Sequence, residues 1–316
     1  MNKRKLGRSG ISIAPMVFGG NVFGWTADEP TSFALLDRFV ERGFHAIDTA
    51  DVYAAWAEGN SGGESETVIG NWLARRKRRD DVVLMTKVGM LEARKGLSAA
   101  NIQAAAEDSL RRLRTDYIDV YFAHIDDADV PLDETLTAFA RLVESGKVRT
   151  VGASNYGAER LEQSLSISKE RGLPRYELLQ PRYNLYDRAA FESSLARVAG
   201  SNELGVVCYF ALASGFLSGK YRAAKDFEGK ARARFAQDYL NGRGLAILAA
   251  LDEVATQTKT TPAQVALAWL LSRPQVTAPI VSATSVAQLD ETLEAATLSL
   301  PESAIAALDR ASDTPD

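Results

Sequence analysis

Short β-rich apolar runs alternate along the chain with longer segments whose apolar residues recur at helical spacing. The runs are 16–20 (MVFGG), 44–48 (FHAID), 81–87 (DVVLMTK), 117–124 (YIDVYFAH), 147–154 (KVRTVGAS), 176–180 (YELLQ), 205–210 (GVVCYF) and 277–282 (TAPIVS). Between them lie Leu35, Leu36, Phe39 and Val40; Ile102, Ala106, Leu110 and Leu113; Leu136, Phe139 and Val143; Phe191, Leu195 and Val198; and Leu245, Leu248 and Leu251. A period of about 3.6 residues gives each helix one apolar face to lay on a sheet, while strands buried on both faces read as continuous apolar runs. The alternation predicts one closed parallel barrel, a (β/α)8 TIM barrel, as a single domain over 1–316.

Before the first run, RKLGRSGISIAP reads as a β-hairpin turning at Arg8-Ser9-Gly10 and covering the bottom of the barrel. Helix starts are expected at Thr31, Ser98 and Thr261-Pro262. A doubly wound sheet is the rival architecture, but FGGNVFG at 18–24 does not fit the G-x-G-x-x-G turn such a sheet would carry. Two connections, 54–64 and 211–243, are long for βα loops and are expected on the C-terminal face, where long loops serve binding.

Composition narrows the function classes. Hydrophobic residues make up 46% and charged residues 25%, and the net charge of −4 gives no reason to expect a nucleic-acid partner. Without an apolar run long enough for a bilayer or a signal-peptide core, no membrane association is expected and the location is read as cytoplasmic. The basic run ARRKRRDD at 74–81 reads as a solvated helix end. Cys208, the only cysteine, lies in an apolar run and reads as a buried thiol; with His45 and His124 it makes no usual zinc ligand set.

Polar residues stand where the apolar runs end: Asp48, Lys87 and His124 close three consecutive runs, and Tyr53 lies just past Asp48. Strand C-termini share one face of a parallel barrel, so these side chains should converge. Singly, each has a structural reading as a rim tyrosine, a solvent-reaching lysine, a turn-capping aspartate or a hydrogen-bonded histidine. Together they make a proton-delivery device: Tyr53 the acid, Lys87 lowering its pKa from about 10, Asp48 anchoring the lysine, and His124 bonding a substrate oxygen. His45, at the opposite strand end, is assigned no role.

GFHAIDTADVY, GGESETVIG, LMTKVG, DVYFAHIDD, GKVRTVGASNY, LLQPRYNLYDR and FALASGFLSGKY, in this order, resemble the aldo-keto reductases, especially the bacterial and plant members related to potassium-channel β subunits. The resemblance implies a barrel that binds NADP(H) without a Rossmann domain and uses Asp48, Tyr53, Lys87 and His124 as its tetrad. It assigns the nicotinamide carboxamide to Ser154, Asn155 and Gln180, ring stacking to Tyr209, and the pyrophosphate to Leu212, Ser214, Gly215 and Lys220. Ser282, Thr284, Gln288 and Glu291 fall in the adenosine region, but there the chain departs from the family: PIVSATSVAQLDE at 279–291 lacks the cation often set against the 2′-phosphate. Hydroxyls, the N-terminus of the helix beginning near Ser285, and Arg273 or an arginine of the 211–243 loop are the expected partial compensation. NADP(H) is therefore the expected cofactor, with NAD(H) tolerated.

Trp25, Trp56 and residues near Tyr186 are the expected substrate mouth, for an aldehyde or small ketone. Two rival readings remain: a cofactor-sensing subunit that binds a partner protein with little turnover, and a phosphate-handling barrel isomerase, for which VSATS is a poor phosphate site. The residues do not fix an oligomeric state.

Overall fold

A computed structural model describes residues 2–313; Met1 and residues 314–316 of the expected domain lie outside the described residues. A hairpin, β1 (Arg4–Lys5) and β2 (Ser12–Ile13), is followed by β3 (Val17–Gly19), β4 (Ala46–Asp48), β5 (Val83–Val88), β6 (Ile118–Ala123), β7 (Val148–Ser154), β8 (Tyr176–Gln180), β9 (Gly205–Cys208) and β10 (Val276–Val281). Strands β3 to β10 pair in parallel, each with its sequence neighbour, and β10 returns to β3 to close an eight-stranded barrel. The helices are α1 (Glu29–Glu41), α2 (Glu64–Arg76), α3 (Ala99–Leu113), α4 (Leu132–Glu144), α5 (Ala158–Arg171), α6 (Ala196–Ser201), α7 (Gly242–Thr258), α8 (Pro262–Leu271), α9 (Val286–Leu293) and α10 (Glu302–Ser312). The expected (β/α)8 TIM barrel is the observed fold.

Side-chain alternation divides the core into two layers. Val17, Ala46, Met85, Val120, Phe122 and Leu178 point inward, and Leu6, Ile11 and Ile13 of the hairpin region pack against them. The larger outer layer joins strand residues such as Ile47, Leu84 and Tyr121 to helix residues such as Leu36, Trp72 and Phe139. Burial of this order, about 1.5–3 kcal/mol for each large apolar side chain, holds the wall together. Arg4 fixes the hairpin by donating to the carbonyls of Leu271 and Val276, both at 3.0 Å. With its lower end plugged, the barrel leaves the C-terminal ends of the strands as the face for chemistry.

Local expectations were corrected in three places. Asp28 rather than Thr31 caps α1: its Oδ1 accepts the Thr31 N–H at 2.9 Å, because Glu29 and Pro30 already occupy the first turn. Leu245 is 43% exposed, since α7 turns that position to solvent while Leu248 and Leu251 are buried. A π-helical turn at Phe191–Leu195 precedes α6 and shifts the apolar face, so Leu195 is only partly buried. Ser98 and Thr261 cap α3 and α8 as expected.

Candidate active site

Asp48 ends β4, and the chain then runs beside β5, the Thr49 N–H donating to the Met85 carbonyl at 2.8 Å and the Asp51 N–H to the Lys87 carbonyl at 3.3 Å. This path delivers Tyr53 to Lys87. The fully buried Lys87 Nζ donates to Asp48 Oδ2 at 2.7 Å, to the Thr49 carbonyl at 2.8 Å and to the Tyr53 hydroxyl oxygen at 2.9 Å. Three N–H donors meet three acceptors, the full inventory of an ammonium and one more than a neutral amine can offer.

The Tyr53 hydroxyl in turn donates to Asp48 Oδ2 at 3.1 Å, and Gln180 Nε2 donates to Asp48 Oδ1 at 2.9 Å. His124, at the end of β6, places its ring 6.2 Å from that of Tyr53, and its buried Nδ1 meets no partner among the described residues. The four residues expected to converge are thus brought together.

The electrostatics differ from expectation in one respect. The Tyr53 hydroxyl is pushed well above the ordinary tyrosine range, first by burial and then by the charge and hydrogen bond of Asp48, which outweigh the opposing pull of Arg232. Burial pulls Lys87 below the usual lysine range against the opposing pull of Asp48. Burial, then the Lys87 charge, holds His124 well below the usual histidine range, so its imidazole is neutral near pH 7.

A cleft of about 380 Å³ opens above these residues. Its floor is an internal polar network. Ser154 Oγ donates to the Gln180 carbonyl at 2.9 Å, Asn155 Nδ2 to the His124 carbonyl at 2.8 Å, and the Tyr209 hydroxyl to Asn155 Oδ1 at 2.7 Å. Asn155 holds this position with a left-handed φ of 58°. Leu212, Ser214, Gly215 and Lys220 line the next part of the wall, where Ala213, Ser214 and Gly215 are all left-handed. The amides of Ala213, Gly215 and Leu217 are already engaged with the carbonyls of Phe210 and Leu212, so this loop offers fewer free N–H groups than expected. What remains is the buried, unpartnered Ser214 hydroxyl and a glycine so close to Lys220 that a Cβ would lie 2.9 Å from its Nζ. An orphan hydroxyl, a close glycine and an ammonium fit a phosphate-bearing cofactor.

The adenosine-side residues divide. Ser282 and Gln288 line the cleft, while Thr284 and Glu291 are exposed outside its lining; Thr284 donates its N–H to Gln288 Oε1, and the Glu291 carbonyl accepts from Gln264. Ser282 is held by the Gly19 carbonyl and Asn21. Arg273 is not available to a phosphate, being paired with Asp309 and stacked on Trp269. Arg232 of the 211–243 loop instead lines the cleft, its Nη2 donating to Asn21 Oδ1 at 2.7 Å.

Trp25 and Trp56 meet edge to face at 5.8 Å on the opposite rim, with Trp56 6.0 Å from Tyr53. Asn60 ties the two loops together by donating to the carbonyls of Gly24 and Ala54. Tyr186 does not join this mouth; it packs on Tyr239 and accepts from Asn241 under the 211–243 loop. Sequence reasoning missed Asn21, Met90, Phe210 and Phe235, all of which line the cleft. Asn21 and Phe235 sit in short 3₁₀ turns, Met90 lies just past β5, and Phe210 closes the run read as a strand but lies past the end of β9, so only their position next to strand ends or in an overlong loop marks them.

A family model described as the aldo/keto reductase family matches residues 15–313. The chain is 36% identical over 305 residues to the uncharacterized oxidoreductase YrpG of Bacillus subtilis (strain 168), covering 93% of this chain and 91% of that protein. It is 30% identical to protein tas of Escherichia coli (strain K12), covering 98% and 97%, and 32% identical to a probable voltage-gated potassium channel subunit beta of Oryza sativa subsp. japonica, covering 93% and 91%. The match spans the barrel from its first strand to α10 and includes every strand that contributes to the cleft, so the chain is an NAD(P)-dependent oxidoreductase and belongs to the aldo/keto reductase family.

Proposed function

We propose that the chain reduces the carbonyl of an aldehyde or small ketone, with NADPH preferred, NADH tolerated and Tyr53 as the proton donor. The observation that carries this reading is the Lys87 ammonium donating to the Tyr53 oxygen while Asp48 accepts from both. A reduced nicotinamide held against Tyr209 by Ser154, Asn155 and Gln180 would supply hydride.

The residues' own work is on the oxygen. Negative charge growing on the carbonyl oxygen approaches that of an alkoxide, an oxygen comparable in basicity to hydroxide. A tyrosine whose pKa is raised keeps its proton until that charge develops, and is then the nearest O–H able to give it up. The proton now points to Asp48 Oδ2, so delivery needs a rotation about the tyrosine C–O bond. Lys87 then faces the nascent phenolate at 2.9 Å and stabilises it. Neutral His124 supports the same oxygen by a hydrogen bond without competing as an acid. Lys220 and Arg232 are the cations proposed for the cofactor phosphates, in place of one after β10.

The test is initial-rate oxidation of NADPH and of NADH with an activated aromatic aldehyde, for the wild type and Tyr53→Phe. Loss of about 10²–10⁴-fold in kcat with cofactor binding retained supports the assignment. Full activity in the variant would sink it, and kcat/KM equal or better with NADH would overturn the cofactor preference. The likeness to a plant channel β subunit supports a second reading, a cofactor-sensing subunit. Cofactor binding without turnover on a carbonyl panel would favour that one.

A further inference from the structure

Among the described residues, no aspartate or glutamate lines the cleft, whereas three cations do: Arg182, Lys220 and Arg232. Asp48 lies beneath it, paired with Lys87. In a chain with 41 acidic residues against 37 lysines and arginines, such a lining is selectively basic. Lys220 and Arg232 are already proposed for the cofactor phosphates, which leaves Arg182 without a role.

Arg182 is placed by the strand that places Gln180. Gln180 ends β8 with its amide on Asp48 Oδ1 at 2.9 Å. The chain stays extended beyond it: the Tyr209 N–H donates to the Pro181 carbonyl at 3.0 Å, and Arg182 pairs in parallel with Tyr209. Alternate residues of an extended chain point to one side, so Arg182 follows Gln180 over the barrel mouth, roughly 6–7 Å further along. Its guanidinium carbon lies 5.1 Å from the Phe210 ring centroid and 5.9 Å from that of Tyr209, the ring proposed to stack on the nicotinamide. It makes no ion pair among the described residues. Glu177 and Asp187, the acids closest along the chain, are engaged elsewhere, by Arg175 and by Asn184 and Tyr239.

An exposed arginine on a rim ordinarily reaches solvent and needs no counter-ion. Two observations favour a ligand here. Packing over Phe210 and Tyr209 holds the planar fork at the mouth, and no acid of the cleft lining offsets its charge. We infer that Arg182 is a specificity-determining residue for the proposed reduction, selecting carbonyl compounds that carry a carboxylate at the far end of an apolar body; this assignment rests on the proposed function. With the carbonyl oxygen at Tyr53 and His124, a carboxylate held one strand repeat higher can accept two parallel N–H bonds from the guanidinium. Trp25, Trp56, Met90 and Phe210 wall the space between, which favours a hydrocarbon body with a carboxylate over a sugar with a phosphate.

The experiment measures NADPH-dependent reduction of 4-formylbenzoate and of methyl 4-formylbenzoate, which differ in charge and little in shape, by the wild type, Arg182→Met and Arg182→Lys. The ratio of kcat/KM for acid over ester is expected to fall about tenfold in Arg182→Met and to recover in part in Arg182→Lys. The loss should fall on KM, because the bond is made in the ground state and the transition state alike. Each ratio is taken within one protein, so a variant that folds only in part gives the same answer. An unchanged ratio overturns the inference, even with a uniform loss on both substrates, which would mark mere support of Tyr209. Titration calorimetry of 4-(hydroxymethyl)benzoate into protein saturated with NADP+ needs no turnover. The wild type should bind it about tenfold more tightly than Arg182→Met, and equal or absent binding overturns the inference. A wild type that reduces neither aldehyde would instead defeat the reductase reading, while the calorimetry still answers for Arg182.

Discussion

Lys87 shows what a single buried charge demands of its neighbours. Its ammonium is fully buried and held by Asp48, Thr49 and Tyr53, so removing the carboxylate leaves an uncompensated cation in the wall. Asp48→Asn is expected to cost about 3–5 kcal/mol in urea unfolding, well above the effect of an ordinary surface change. Asp51 behaves oppositely. Its folded value of about 7 lies above the ordinary 3.8, so between these pH values the native state holds a proton that the unfolded chain has released. Stability therefore falls as pH rises through that window and levels off above it. Asp51→Asn is expected to be more stable than wild type by about 2 kcal/mol at pH 8, allowing for the burial of the amide itself, with the difference shrinking toward pH 4. Denaturation curves at the two pH values check this, and an equal difference at both would contradict the linkage. Asp48, Tyr53, Lys87 and His124 were legible as a group because a parallel barrel gathers strand ends. The direction of the Tyr53 shift was not legible, because it depends on how deeply the hydroxyl is buried and on Asp48 accepting its proton, neither of which spacing reveals.

Helix–helix contact is decided by backbone approach as much as by apolar stripes. Gly70 lies where α2 meets α3, and a Cβ there would fall 2.0 Å from the Arg112 carbonyl oxygen and 2.9 Å from the Leu113 carbonyl carbon. Both obstacles are main chain, so a side chain cannot move out of the way. Gly70→Ala is predicted to destabilise by about 1–3 kcal/mol through separation of α2 and α3, measured as a lower midpoint of thermal unfolding. An unchanged midpoint would show that the helices slide freely. The strands and most helices were readable from periodicity because a continuous apolar run and a 3.6-residue repeat each have one good packing solution. The capping residue of α1, the outward turn of Leu245 and the π-turn before α6 were not. Each depends on a shift of one residue in where a helix starts or how it winds, and such a shift leaves the coarse pattern intact.

At the scale of the molecule, the cleft is walled on one side by strand ends and on the other by the 211–243 loop, which meets the barrel through Arg232 and Asn21. If Lys220 holds the pyrophosphate common to both cofactors and Arg232 the 2′-phosphate, the double variant Lys220→Met, Arg232→Met should weaken both, and NADPH more than NADH. The stabilisation of about 2.7 kcal/mol expected for the wild type at one hundred times its Kd would then shrink at the same NADPH concentration. Thermal shift with the two cofactors measures it; equal shifts in both proteins would remove these cations from the site.

The pairing of β10 with β3 has a consequence for the living history of the chain. Ile280 and Val281 lie beside Val17 and Phe18, so the first barrel strand to leave a ribosome waits for the last, and Ser282 bonds across that same seam to Gly19. Asp48, Tyr53, Lys87 and His124 are all translated long before the wall around them can close. A nascent or truncated chain thus carries all four groups proposed for the chemistry yet lacks the closed wall around them, and on that proposal cofactor capture becomes a signature of completed synthesis.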